Sequence, residues 1–193
     1  MSIVSIQDLE LYLQKDIQNT DDEEKYDYLI ESVQEQAETI CYRKFDEQEY
    51  TEQFDGNGGN ELYLNQYPIF SVSDVQYGWT WSGSTRTEIT EYLIYEQEGY
   101  LSFNFNSIEG NQVFEVTYIA GYADNPSASN NIPNDLKTIL MDQIEISKNK
   151  TFTSGEIKKE KLGDYSYEKF GLDEMDNTSV FAEKLSKYVR NDI

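Results

Sequence analysis

Chemistry needs nucleophiles, proton carriers or ligands at workable spacings, and this chain's stock is narrow. Its 193 residues include no histidine and one cysteine, Cys41. Ser-His-Asp and Cys-His nucleophilic mechanisms are therefore absent, as are zinc sites built with histidine. One thiol can form neither an all-cysteine zinc site nor an intramolecular disulfide, which fits a reducing compartment. What remains is carboxylate, amide and aromatic. Asp55-Gly56-Asn57-Gly58-Gly59-Asn60-Glu61 resembles a calcium loop. An EF-hand loop needs Gly at its sixth position and a bidentate Glu at its twelfth. Counted from Asp55 these are Asn60 and Gln66, so both fail. The segment reads instead as a hairpin turn, its glycines and asparagines supplying positive φ. Glu96 and Glu98 mimic a glycosidase pair, but among 37 carboxylates no spacing singles out two. Trp79, Trp81 and the sixteen tyrosines suit a carbohydrate platform or subunit-interface anchors. No catalytic, cofactor-binding or metal-ligating residue is assigned, and no enzyme is expected.

The charge balance excludes more. Fifteen basic against 37 acidic side chains give a net charge of −22. Such a chain has no electrostatic grip for phosphate backbones or anionic membranes. A disordered acidic chain would be poor in aromatics; at 14% aromatic this one should fold. The start, MSIVSIQDLELYL, lacks the basic and long apolar regions of a signal peptide. No apolar run approaches the ~18 residues of a membrane span. A soluble, cytosolic product is expected. The charge is uneven: net −7 over residues 1–44, −14 over 45–136 and −1 over 137–193. Lys158, Lys159 and Lys161 form a basic cluster in the last third. Such asymmetry marks either two surfaces facing different partners or solubility alone.

The elements that must position these residues read helix, sheet, helix. Ser5 followed by Asp8 resembles a capping box, with Asp in place of Glu, for a short helix to about Leu13. Asp21 to Glu24 starts a second helix, with Tyr26, Leu29, Ile30, Val33, Ala37, Ile40 and Cys41 at spacings of three and four, ending near Tyr42. Cys41 lies on that stripe as a small core residue. Strands follow at Tyr50–Phe54 and Leu62–Leu64, a hairpin across residues 55–60, then at Val72–Tyr77, Tyr92–Tyr95, Leu101–Phe105 and Val113–Ile119. They predict an antiparallel sheet or small barrel. Pro133 opens a third helix with Leu136, Ile139, Leu140 and Ile144, broken over Asn149–Gly155. Ile157–Phe170 reads as an exposed hairpin or extended arm. Thr178 caps a last helix carrying Val180, Phe181, Leu185, Tyr188 and Val189. The fold class is therefore α+β: a helical bundle with an antiparallel sheet or small barrel inserted between helices two and three, plus an arm and terminal helix. The organisation is one domain with an insertion: helices in 1–45, the β region in 46–122, and helix, arm and terminal helix in 123–193.

The order of motifs carries a resemblance. It runs Ser5-x-x-Asp8-Leu9-x-x-Tyr12-Leu13, Asp21-Asp22-Glu23-Glu24, Cys41-Tyr42-Arg43-Lys44-Phe45, Phe54-Asp55-Gly56 with Gly58-Gly59, and Leu62-Tyr63-Leu64. Tyr67-Pro68-Ile69, Val72 and Val75, and Val116-Thr117-Tyr118-Ile119-Ala120-Gly121-Tyr122 follow. Ile132-Pro133-Asn134-Asp135-Leu136-Lys137 and Leu162-Gly163-Asp164-Tyr165-Ser166 complete the set. Over residues 5–168 it resembles the head–tail connector (adaptor, or head completion) family of tailed bacteriophages. The stretch 77–111 is longer than in compact members, and nothing after Gly171 matches the pattern.

The resemblance implies a structural virion protein at the neck, assembled in the bacterial host cytoplasm, with no cofactor. It implies a ring of roughly twelve copies under the portal protein. That ring extends the channel through which genomic DNA passes unbound, and joins the head to a stopper or tail-completion protein. Lys158, Lys159, Lys161, Leu162, Tyr165, Tyr167, Phe170, Phe181 and Tyr188 are then candidates for contact with the portal or a neighbouring copy. Asp55, Asn57, Glu61, Trp79 and Trp81 are candidates for a tail-side or channel surface. The competing reading is an acidic non-viral module binding carbohydrate or calcium through the tryptophans and the Asp55 loop. A mostly β stopper fold fits poorly with the long second helix and the helix after Pro133.

Overall fold

Ser5 and Asp8 cap each other. The Ser5 hydroxyl accepts from the Asp8 N–H at 3.1 Å, and an Asp8 carboxylate oxygen accepts from the Ser5 N–H at 3.0 Å. This starts α1, Ile6–Leu13, which ends where Gln14 turns left-handed at φ 50°. The computed structural model describes residues 2–17, 20–79, 85–125, 128–152, 159–162, 165–168 and 177–189. They form a mixed α+β chain of two units, one Arg43–Ile132 and the other Ser2–Tyr42 with Pro133–Ile193.

The second unit is helical. α2, Thr20–Cys41, carries Asp21, Asp22 and Glu23 in its first turn, where the helix dipole favours acids. It buries Tyr26, Leu29, Ile30, Val33, Ala37 and Cys41, and stops as Tyr42 adopts φ 55°. Against it packs α3, Asn134–Phe152, through Leu136, Leu140, Met141 and Ile144. Each such side chain, fully buried, contributes about 1.5–3 kcal/mol. A break from Asn149 is not found, because the helix continues through Phe152; residues 153–155 of that expected break lie outside the described residues. α4, Asn177–Leu185, and the 3-10 turn Ser186–Tyr188 place Phe181, Leu185 and Tyr188 in this core. Aspartates tie the helices together: Lys137 meets Asp8 at 3.3 Å, Lys184 meets Asp142 at 2.9 Å, and Lys187 pairs with Asp135. β8 (Lys159–Leu162) and β9 (Tyr165–Glu168) pair antiparallel.

The first unit is built of two antiparallel sheets. One has the order β1-β7-β3-β4, comprising Gln48–Gly56, Gly110–Ala120, Ile69–Tyr77 and Thr87–Glu88. The other has the order β2-β6-β5, comprising Glu61–Tyr63, Tyr100–Phe103 and Tyr92–Tyr95. Among the described residues neither closes into a barrel. Central β7 alternates as a half-buried strand must, with Phe114, Val116, Tyr118 and Ala120 inward. Phe103 and Phe114 stack with centroids 5.2 Å apart and join the two sheets in one core. The Tyr118 hydroxyl donates to Glu52 at 2.5 Å. Burial and that bond hold its phenol well above the ordinary tyrosine range.

The expected hairpin across residues 55–60 does not form. β1 pairs with β7 from Gln48–Ala120 to Phe54–Phe114, and β2 pairs with β6. The long register against β7 covers the core face, which a three-residue partner cannot do. The loop instead crosses between sheets. Asp55 accepts from the Gln112 N–H at 2.8 Å, and Asn57 accepts from the Gly59 N–H at 2.9 Å.

Candidate functional site

The register of the smaller sheet aligns three tyrosines. Tyr63 lies opposite Tyr100, and Tyr100 opposite Tyr95. Alternation sends Leu62 and Leu101 into the core and leaves these tyrosines, with Glu61, Leu93 and Ser102, on the other face. Tyr95 and Tyr100 stack with centroids 4.3 Å apart and planes 9° from parallel; Tyr63 and Tyr100 are 5.0 Å apart. Leu93 is 65% exposed and Tyr95 39%. β5 is an edge of this sheet, and its residues Tyr92-Leu93-Ile94-Tyr95 include no charge and no proline. Natural edges are usually blunted by Lys, Pro or bulges, so an apolar edge of this kind is a candidate contact surface.

Acidic residues rim the face. The Tyr63 hydroxyl donates to Glu61 at 3.0 Å, and that bond raises its pKa. Burial first, then Tyr95, Glu61, Tyr63 and Glu98, raise that of Tyr100. These phenols therefore stay protonated at neutral pH and offer ring area and O–H donors. Stacked rings beside the exposed Leu93 make a surface suited to docking. Among the described residues no group of three or more His, Cys, Asp or Glu is placed to hold a metal. None of their helices is long and apolar enough to cross a membrane.

The residues singled out from sequence fall in several places. Asp55 lies at the end of β1 and Asn57 in the crossing loop that follows, and their side-chain oxygens accept backbone N–H groups. Glu61 joins the tyrosine face. Trp79 is exposed, and its indole lies over Gly110, where a Cβ would come within 3.1 Å of the ring. Lys159, Lys161, Leu162, Tyr165 and Tyr167 belong to the antiparallel pair β8 and β9. Phe181 and Tyr188 are 3% and 7% exposed and serve to seat α4 in the helical core. Lys158, Phe170 and Trp81 lie outside the described residues. Sequence reasoning missed Tyr63, Leu93, Tyr95 and Tyr100. The available signal was an uncharged four-residue run in a chain that is 27% charged.

A helical unit whose chain is interrupted, between its second and third helices, by two antiparallel sheets defines the class of fold. Residues 2–154 match the family model described as head completion protein. The chain belongs to that family, in agreement with the resemblance read over residues 5–168. No curated protein sequence matches it. Solved structures share the fold. A chain in "Neck of empty GTA particle computed with C6 symmetry" aligns with a TM-score of 0.58 at 9% identity, covering 99% of this chain and 91% of that one. The same values hold for a chain in "Virion of native gene transfer agent (GTA) particle". A chain in "Neck of native GTA particle computed with C12 symmetry" aligns with a TM-score of 0.51 at 10% identity, covering 100% and 96%.

Proposed function

We propose that the chain is a structural protein of a virion neck. It assembles as a ring below the portal protein, extends the DNA channel, and joins the head to a stopper or tail-completion protein. The family match across residues 2–154 carries this reading. The likeness of fold to chains from particle necks, two of them treated with six- and twelvefold symmetry, supports it. In this reading the helices form the bundle of the ring and the sheets are its insertion, with segments 1–45, 46–122 and 123–193 acting as one domain. The tyrosine face then serves as a contact between copies or with the tail-side protein. No step requires a catalytic group.

The charge fits a passage that must not hold DNA. The unit Arg43–Ile132 has 14 acidic and three basic side chains, net −11. Roughly twelve copies around an axis multiply that into a negative annulus, which repels a polyanion. The test is genetic and biochemical. Particles made without the chain should accumulate as DNA-filled heads lacking tails, and the purified chain should restore tail joining. Tailed, infectious particles in its absence would overturn the reading.

A further inference from the structure

The helical unit contains a cleft of about 230 Å³ lined by Lys15, Asp22, Lys25, Tyr26, Leu29 and Lys148. Three lysines and one carboxylate, that of Asp22, share this lining. Lys148 donates to the buried Tyr26 hydroxyl, with its Nζ 4.7 Å from the centre of that ring. Lys25 reaches Asp22 at 3.4 Å, with both side chains half exposed. Three other lysines of the unit are used differently. Lys137, Lys184 and Lys187 each meet an aspartate of another element. Lys15, Lys25 and Lys148 instead line a concavity sized for a single small group. The first turns of α2 form one wall.

We propose that this cleft is a carboxylate-binding site that receives an acidic side chain from the sheet unit of an adjacent copy. The inference rests on the ring reading above. Copies of net charge −22 repel one another, and locally complementary patches offset that repulsion where they meet. The sheet unit supplies the acids. Of its three basic residues, Arg43 is buried and Arg86 pairs with Glu115 at 2.5 Å. The helical unit supplies the cationic cleft. A contact from one unit to the other unit of the next copy is heterologous, the kind that closes rings. A nucleic-acid phosphate is disfavoured, because the field of the whole chain repels a polyanion.

The test uses the full chain in particles, with Lys15→Glu/Lys25→Glu and Lys15→Arg/Lys25→Arg. Both sites are exposed, and circular dichroism with a thermal melt checks that each variant folds; Lys15→Glu alone serves if the double reversal does not. Copies per particle are counted by quantitative mass spectrometry and neck imaging. The reversal should lower incorporation about tenfold, and the arginine variant should stay within about twofold of wild type. Undiminished incorporation of the reversal overturns the proposal and leaves the neck function standing. An equal loss in the arginine variant also overturns it, since charge is then not what the cleft reads. Full rings with altered DNA retention would assign the cleft to phosphate and overturn it too. Absence of the wild-type chain from necks is a different outcome, and it overturns the functional reading itself.

Discussion

Tyr95 stacks on Tyr100 with ring centroids 4.3 Å apart, on the face of the smaller sheet that the core does not use. An exposed pair of this kind contributes only about 0.5–1.5 kcal/mol to folding. In the proposed neck ring its larger consequence is for docking. Leu93→Ser/Tyr95→Ser should therefore shift the urea midpoint little, yet lower incorporation into particle necks severalfold. Normal incorporation of a folded variant would remove this face from the assembly.

Arg43 is held among aromatic rings. Its guanidinium lies 3.9 Å from the centre of the Tyr67 ring and 5.3 Å from those of Phe45 and Tyr122. It also donates to the Tyr67 carbonyl and, at 3.1 Å, to the Tyr122 hydroxyl. Arg43→Met keeps the stem but leaves buried acceptors unpaired. The expected loss is about 3 kcal/mol by urea denaturation. A change below about 0.5 kcal/mol would show that the cage contributes little.

Gly121 follows β7 with φ +110°, and a Cβ there would lie 2.3 Å from the Asp46 carbonyl oxygen. Gly121→Ala should cost more than about 2 kcal/mol, because both the backbone angle and the clash oppose it. Gly58, at φ +80°, meets only the flexible Glu109 side chain, at 3.2 Å. Gly58→Ala should cost about 1 kcal/mol. Thermal melts of the two variants that ranked them in the opposite order would contradict this account of the two loops.

The acid and alkaline limits of stability have separate sources. Burial raises the carboxyl pKa of Asp8, but the Ser5 hydrogen bonds and the Lys137 charge outweigh it and leave the value lowered. For Asp142, burial is likewise outweighed by hydrogen bonds from Tyr12 and Lys184. For Glu115 the Gln53 hydrogen bond leads, with Arg86 adding to it against burial. A depressed folded-state value stabilises above the unfolded one. This contribution is therefore complete well above about pH 4 and is lost as pH falls through the folded values. Tyr12 runs the other way. Its hydrogen bond to Asp142, 2.5 Å long, pushes its pKa up to about 12 from 10.0. That contribution is complete below about pH 10 and is lost as pH rises toward 12. Tyr12→Phe should flatten the alkaline limb of a stability–pH curve, and Asp142→Asn should flatten both limbs. An unchanged alkaline limb in Tyr12→Phe would contradict the assignment.

Local signals were legible where the physics is local. The Ser5–Asp8 box, the α2 stripe ending at Cys41, and Pro133 just before α3 all depend on residues within a few positions of one another. The Val113–Ile119 alternation became the centre of the larger sheet, because that strand's inward face carries much of the core. Partner choice was not legible. The glycines of residues 55–60 permit a tight turn, yet β1 gained more from a partner some sixty residues away than from its neighbour β2. The short β4 has only two residues and no pattern to read. The tyrosine face was hidden for the same reason. Tyr63, Tyr95 and Tyr100 come together only after the register of three strands is known. Phe181 and Tyr188 illustrate the converse: their spacing marked an apolar stripe, and burial in the helical core is what that stripe became.

The central claim is that this chain builds a neck ring. Cryo-imaging of purified particles, with the sheet unit of the chain carrying a small tag, tests it most directly. The account predicts a closed ring of density at the head–tail junction into which the fold fits, with the tag repeated once per copy. Particles with a complete neck in which neither the fold nor the tag appears would contradict it.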